Sequence, residues 1–576
     1  MNIRNPLPLV TAATLAVLVV GLPPVTRAQE PQARRLVVQQ QAEQIQPQLI
    51  RCLLDTRVMD ADIRFLSHDL LEGRAPSGRG EAIAVEYIEA RLRMAGAEGA
   101  FADGSFRQAV PLIKQRASSD MELTVRRREQ SATYAYGSQF VVDSGIYEPR
   151  VDVDGEIVFV GYGAVAPEYE WDDYKTVDVN GKILMMLVND PPATEEEPDL
   201  FEAKAMTYYG RWTYKYEIAE EKGAKGVLLV HVTDMAGYGW NVVQTSWSGD
   251  QFSLASEQSA SPLKMRGWVT GEVAAEIVGM AGRDLDALME EAKRRDFRPV
   301  SLGVNASTTI RNRTDHMTGY NVVGVLKGSD PERAGEFICY SAHLDHLGMG
   351  EGTGDVIYNG AVDNASGVAA VLNIAGALGR IPARTRPGRS FMFALVTAEE
   401  SGLLGSKLLA LNPPVPSTQI VAVINLDSMN MWGETDDLVL VGGERSDLWE
   451  VVGEVASALS MVVKPDPRPE VGSFFRSDHF SFAKVGIPAT SLKAGVTYRG
   501  RTQEWGMEFK RRWTAETYHQ PSDEYSESWI YGGAVQEMMA ALLAGLRIAD
   551  SEKWIEWKPG DPFGRIREEK RRGGGR

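Results

Sequence analysis

The sequence predicts an α/β protein: a mixed central sheet with helices on both faces, interrupted by an inserted β-rich domain. Three observations predict it. First, three short apolar runs, at 337–345, 391–400 and 420–427, each end in imidazole or acidic residues. A continuous apolar run of this length reads as a strand buried on both faces. Second, the apolar stretch 368–378 between the first two runs reads as a helix, and strands alternating with helices build a sheet with helical layers. Third, the middle of the chain changes rhythm. Segments 155–163, 177–188 and 224–231 read as strands and turns, with a helix at 216–223, and carry no cluster of metal-ligating residues.

The ends of the three apolar runs carry the chemistry. In open α/β sheets the ligand crevice lies beyond the carboxyl ends of the strands. Neighbouring strands would therefore deliver His343, Glu399, Glu400 and Asp427 to one place. Segment 360–367 (Gly-Ala-Val-Asp-Asn-Ala-Ser-Gly) leads into the 368–378 helix and puts Asp363 at its start, where backbone N–H groups favour an anion. Segment 518–525 (Tyr-His-Gln-Pro-Ser-Asp-Glu-Tyr) reads as a loop because of Pro521, and offers His519 from a rigid turn. Imidazoles and several carboxylates converging on one crevice suit a pair of hard or borderline divalent cations. Each of these residues taken singly reads as a cap or turn residue; five ordered motifs together do not.

The ordered set His343-x-Asp345, Gly-Ala-Val-Asp363-Asn364, Ala-Glu399-Glu400, Asn-Leu-Asp427 and Tyr518-His519-Gln-Pro-Ser-Asp523 resembles the M28 family of co-catalytic zinc peptidases over residues 61–545. The resemblance implies a zinc-exopeptidase fold with two zinc ions per chain. It implies that His343, Asp363 and Asp427 hold one and that Asp363, Glu400 and His519 hold the other, with Asp363 bridging. Glu399 matches the general base, and Asp345 the carboxylate that orients His343. It also implies a cis peptide at Asp363–Asn364. His479, in a Ser-Asp-His triplet near the substrate pocket in such enzymes, and Tyr518 are weaker substrate-contact candidates. His346 reads as a neighbour of the ligands or as exposed, and His68 and His231 read as structural.

The middle segment resembles a protease-associated (PA) domain. The implied organisation is a leader at 1–28, a peptidase domain in two parts at 61–144 and 306–550, the PA insertion at 145–305 and a disordered basic tail at 551–576. An amphipathic helix is expected at 81–94 and an edge strand at 132–142. The aromatics Tyr208, Tyr209, Trp212, Tyr238, Trp240 and Trp247 read as core or as the wall of a substrate channel.

Length and charge bound the rest. At 576 residues the chain exceeds one ordinary domain, and its net charge of −17 disfavours nucleic acid and anionic membranes as partners. Arg4, the apolar stretch 7–22 and Thr26-Arg27-Ala28 read as a secretory leader cleaved near Ala28, so a secreted or periplasmic location is expected. Cys52 and Cys339 read as free, buried thiols. The expected activity is a two-zinc aminopeptidase acting on peptides. A carboxypeptidase or dipeptidase is the alternative on the same site, because Arg476, Lys493 and Arg499 lie near the pocket segments and could anchor a carboxylate. A non-catalytic binding ectodomain would be expected to have lost ligands, and a cyclising aminoacyltransferase to lack the insertion. Side-chain preference and oligomeric state have no signal in the sequence.

Overall fold

The computed structural model describes residues 51–236, 239–255, 262–350 and 352–573. The expected leader lies outside them. Two sheets meet in one strand, Val300–Leu326, which is 27 residues long. Its first part pairs antiparallel with Arg150–Phe159 and Glu122–Arg127, its middle with Arg107–Ala117, and its end with Ser390–Val396.

From there the first sheet runs through Ser390–Val396, Phe337–His343, Ile420–Leu426 and Ala489–Ala494, all parallel to one another. Antiparallel Asp437–Val441 follows, and Val462–Lys464 lies beyond it. The first three parallel strands are buried at every position, as strands covered on both faces must be. Alternate residues feed two cores. Ile338, Tyr340 and Ala342 face helices Gly367–Gly379 and Gly532–Asp550, while Phe337 and Cys339 face Leu409 and Phe482 of helices Leu404–Leu411 and His479–Lys484.

The second sheet is also mixed. Parallel strands Arg150–Phe159, Ile183–Leu187, Gly226–His231 and Met265–Thr270 are bordered by antiparallel Phe140–Asp143. Helices Gly271–Met280 and Leu285–Ala292 cover one face and Trp212–Glu221 the other. Tyr214, Tyr216, Trp247 and Trp268 are core residues there.

Three expectations are corrected. The edge strand at 132–142 is two strands, Gln130–Ala135 and Phe140–Asp143, broken where Gly137 takes φ +84. Both belong to the second sheet rather than to the first peptidase segment, whereas Gln251–Leu254 returns from the middle of the chain to pair with Arg107–Ala117. The chain changes sheet inside the continuous strand Val300–Leu326, and neither alternation nor composition marks that point. Cys52 is exposed; Cys339 alone is buried.

The third correction is the C-terminal tail. Residues Pro562–Arg572 form a helix capped by the Asp561 carboxylate, which accepts the Phe563 amide. Phe563 packs into a cluster with Phe474, Phe480 and Trp557. Arg567 is buried and donates to the carbonyls of Gly486 and Ile420 at 3.3 and 3.1 Å. Composition pointed to a solvated tail because the anchors Phe563 and Arg567 are few among many charges. Phe563→Ala should therefore lower stability by about 3 kcal/mol. Urea unfolding measures this, and a loss below about 0.5 kcal/mol would show that the helix does not dock.

Candidate metal centre

Parallel strands put their carboxyl ends on one edge, and the predicted ligands leave from there. His343 is the last residue of its strand, Asp427 follows Ile420–Leu426 directly, and Glu399 and Glu400 follow Ser390–Val396 after a turn in which Ala398 has φ +55. Asp363 comes from the irregular turn Ala361–Ser366, so the regular helix starts four residues later, at Gly367. The Asp363–Asn364 peptide is cis. His519 sits in the loop beyond helix Gln503–Glu516, with φ +58.

Side chains at a distance in sequence hold that turn. The Asp523 carboxylate accepts the amides of Val362 and Asp363 at 3.0 and 2.9 Å. Asn364 accepts from the amides of Gly367 and Ser428 and donates to the Leu426 carbonyl, tying Asp363 to the strand end that presents Asp427.

Two donor sets meet at Asp363. On one side His343 Nε2 lies 3.2 Å from Asp363 Oδ1 and 3.6 Å from Asp427 Oδ1. On the other, His519 Nε2 lies 3.3 Å from Asp363 Oδ2 and 2.9 Å from Glu400 Oε2. His343, Glu399 and Asp427 each bring a ligand atom within 4.8 Å of the others, as do His343, Asp363 and Glu400. Asp363 Oδ2 and His519 Nε2 are buried and close, yet neither makes a hydrogen bond. Lone pairs that converge without hydrogen-bond geometry are what ligands of a shared ion present. The mixture of imidazole nitrogen and carboxylate oxygen fits borderline divalent cations.

The charges respond accordingly. Burial works against the His343 imidazolium, but Glu399, Asp363 and Asp427 outweigh it and raise its pKa well above the usual value. His519 is raised in the same way, by Glu400 and Asp363. Burial works against the Asp363 carboxylate too, yet contacts with His343 and His519 hold its pKa well below the ordinary range. Glu399 moves the opposite way: burial first, then the neighbouring acids, push it well up.

Other expected residues are placed differently. Asp345 was expected to orient His343 through its carboxylate, but that contact is 3.8 Å, and His343 Nδ1 lies 3.3 Å from the Asp345 carbonyl oxygen instead. The Asp345 carboxylate accepts the Glu399 amide at 3.2 Å, because it stands between the two strand ends. His479 opens a helix and is fully buried, edge-on to Phe474, so it offers no surface to a substrate. Tyr518 is 39 % exposed and stacks on His519 with 3.9 Å between ring centroids. His346 is buried and its Nδ1 lies 2.7 Å from Glu400 Oε1, which orients that carboxylate.

Several positioning residues had no role assigned from the sequence. Ser477 Oγ donates to Asp427 Oδ2 at 2.7 Å, and a chain through Asn425 to Ser341 continues behind it. Arg74 is buried beneath the crevice and donates to the carbonyls of Leu66, Leu344, Asn359 and Gly360. Burial pulls its pKa down to about 10, against the pull of Asp345, Asp523, Asp363 and Glu400, so it stays charged at neutral pH.

The raised imidazole pKa values carry a sign. The acids around them favour the protonated rings of His343 and His519, and a cation can use their nitrogens only after deprotonation. Uptake of a divalent cation should therefore release about one proton or more at pH 7, and affinity should rise with pH. Calorimetry in two buffers of different ionisation heat reads this; identical heats would contradict it.

Residues 321–544 match the family model for peptidase family M28. Leupeptin-inactivating enzyme 1 of Streptomyces exfoliatus is 29 % identical over 205 residues, which cover 35 % of this chain and 42 % of that protein. A probable zinc metalloprotease of Pyrenophora tritici-repentis is 38 % identical over 250 residues, covering 41 % of this chain and 52 % of that one. The chain thus spans about half or less of the length of these curated relatives. Among solved structures, an aminopeptidase from Aneurinibacillus sp. strain AM-1 has the same fold, with a TM-score of 0.50, 20 % identity and coverage of 89 % of this chain and 98 % of that one.

Proposed function

We propose, from the match of residues 321–544 to the model of peptidase family M28, that the chain hydrolyses peptide bonds as a zinc-dependent exopeptidase and releases N-terminal amino acids. One observation supports this most strongly. The Glu399 carboxylate lies beside His343 and Asp427, yet takes no hydrogen bond from any described residue. The adjacent Glu400 carboxylate is engaged by His519 and His346. One acid is placed to ligate; its neighbour is left free to carry a proton.

In this reading His343, Asp363 and Asp427 would hold one zinc, and Asp363, Glu400 and His519 would hold the other. When bound, such ions supply Lewis acidity towards the scissile carbonyl and the attacking water. Glu399 takes the proton from that water and passes it to the leaving amine. Asp345 fixes the Glu399 backbone by accepting its amide, and Ser477 and Asn364 fix Asp427 and Asp363. The leader-like segment 1–28 supports a secreted or periplasmic location for this activity. The second sheet and its helices, read as a protease-associated insertion, act on substrate access. The loop at Tyr208 rests on Phe475, Phe480 and Lys484, within a few residues of Ser477.

Release of amino acid from aminoacyl-anilides but not from N-blocked peptides, abolished by a chelator, tests the activity. Glu399→Gln should keep its zinc and lose about 10²- to 10⁴-fold in turnover; loss of zinc or wild-type turnover would refute the role. Asp363→Ala should drop the zinc content from about two per chain, because one carboxylate serves both sets. Elemental analysis measures it, and an unchanged content would sink the bridge.

A further inference from the structure

We infer that Lys493 forms, at the edge of the metal centre, a subsite for a second carboxylate carried by the substrate. The inference rests on the peptidase reading above and names a chemical preference within it.

Ala489–Ala494 is the fourth parallel strand of the first sheet, and Leu492 pairs with Leu426. Lys493 therefore follows its strand partner as Asp427 follows Leu426, and its side chain emerges on the same edge. It is the least buried position of that strand, with 39 % of the side chain exposed. Its Nζ lies 3.9 Å from Asp427 Oδ2, too far for a hydrogen bond, and that oxygen already accepts from Ser477. Among the described residues the ammonium has no hydrogen-bond partner, although it has three donors to place.

The backbone next to it is fixed from both sides. The buried Glu537 accepts the Ala494 amide at 2.6 Å, and Lys510 Nζ donates to the Ala494 carbonyl at 2.5 Å. Lys510 is thus occupied, while Lys493 stands on a fixed backbone with its hydrogen-bond donors unused by any described residue. His479, which also feels Lys493, is kept neutral: burial, then the lysine charge, press its pKa down to about 3.

A substrate's free amine would be repelled by this ammonium, so that amine must lie elsewhere. A carboxylate gains a short charge-assisted hydrogen bond at a partly desolvated donor. That carboxylate has two sources, an acidic side chain on the first residue or the C-terminus of a dipeptide.

The test uses the full chain loaded with zinc and two substrate pairs. Glutamyl-anilide against glutaminyl-anilide reads the side chain; Leu-Gly against Leu-Gly-amide reads the terminus. The charged member of one pair should be favoured about tenfold or more in kcat/KM, and the favoured pair identifies the source. Lys493→Met, with zinc content unchanged, should bring that ratio close to one, mainly through KM. A merely structural lysine would lower both members alike. No preference in either pair, or an equal loss on both members, overturns the inference. If no peptide is turned over, the peptidase reading fails by itself. Calorimetric binding of glutamate against glutamine and of Leu-Gly against Leu-Gly-amide to Glu399→Gln then decides. A carboxylate preference that Lys493→Met erases sustains the subsite, and equal binding in both pairs overturns it.

Discussion

Mutual repulsion among carboxylates governs the centre. Asp345, Asp363, Glu399, Glu400, Asp427, Asp478 and Asp523 crowd into one crevice, and most are buried. Unpaired, such charges out of water cost several kcal/mol each. The protein offsets this locally in four ways. Backbone amides donate to the Asp523 carboxylate, and the Arg74 guanidinium lies underneath. The imidazoles of His343 and His519 and the ammonium of Lys493 stand between the acids. Finally, some acids keep their protons: burial, with Glu400 as a like-charged neighbour, lifts Asp345 to about 8. What these cations leave uncompensated is what a bound divalent cation would neutralise. Metal affinity and the cost of building the crevice are two sides of one electrostatic balance.

Parallel strands make that crowding possible. A buried strand has no room for a charged side chain along its length, so acids and imidazoles gather where the strands end. That is why His343, Glu399, Glu400 and Asp427 were legible from sequence alone: each closes or follows an apolar run. Asp363 and His519 were legible through motif order rather than periodicity, since one sits in an irregular turn and the other in a loop. The positioning residues were not legible. Arg74 reaches Leu344, 270 positions away, from a turn in which Glu72, Gly73 and Arg74 all have positive φ. Ser477 and Asn425 are ordinary small polar residues until the fold stacks them behind Asp427. For His479 the sequence left a pocket role and a structural one open, and the fold buries its ring against Phe474.

Composition failed where pattern was thin. The last described residues are dominated by Arg, Lys and Glu, yet Phe563 and Arg567 share a helix face and bury it. The aliphatic stem of an arginine packs as apolar surface while its guanidinium finds carbonyls, as Arg567 does at Gly486 and Ile420. That contact reaches the start of the strand that delivers Asp427.

The long strand Val300–Leu326 sets the relation between the two sheets. A flexible linker would let the second sheet move freely against the first, but here the same backbone hydrogen-bonds in both. A second contact limits rotation about that strand. The Met206 amide donates to the Pro469 carbonyl at 3.0 Å, Arg445 pairs with Glu202, and Lys484 Nζ donates to the Tyr208 hydroxyl at 2.8 Å. Asp190 anchors this loop by accepting from the Thr207 amide and hydroxyl at 2.7 and 2.6 Å. One continuous strand and one polar-aromatic contact together join the two sheets. The contact lands on the segment that carries Ser477, whose hydroxyl holds Asp427. The second sheet is thus tied both to the rim of the crevice and, through one hydrogen bond, to a carboxylate of the centre.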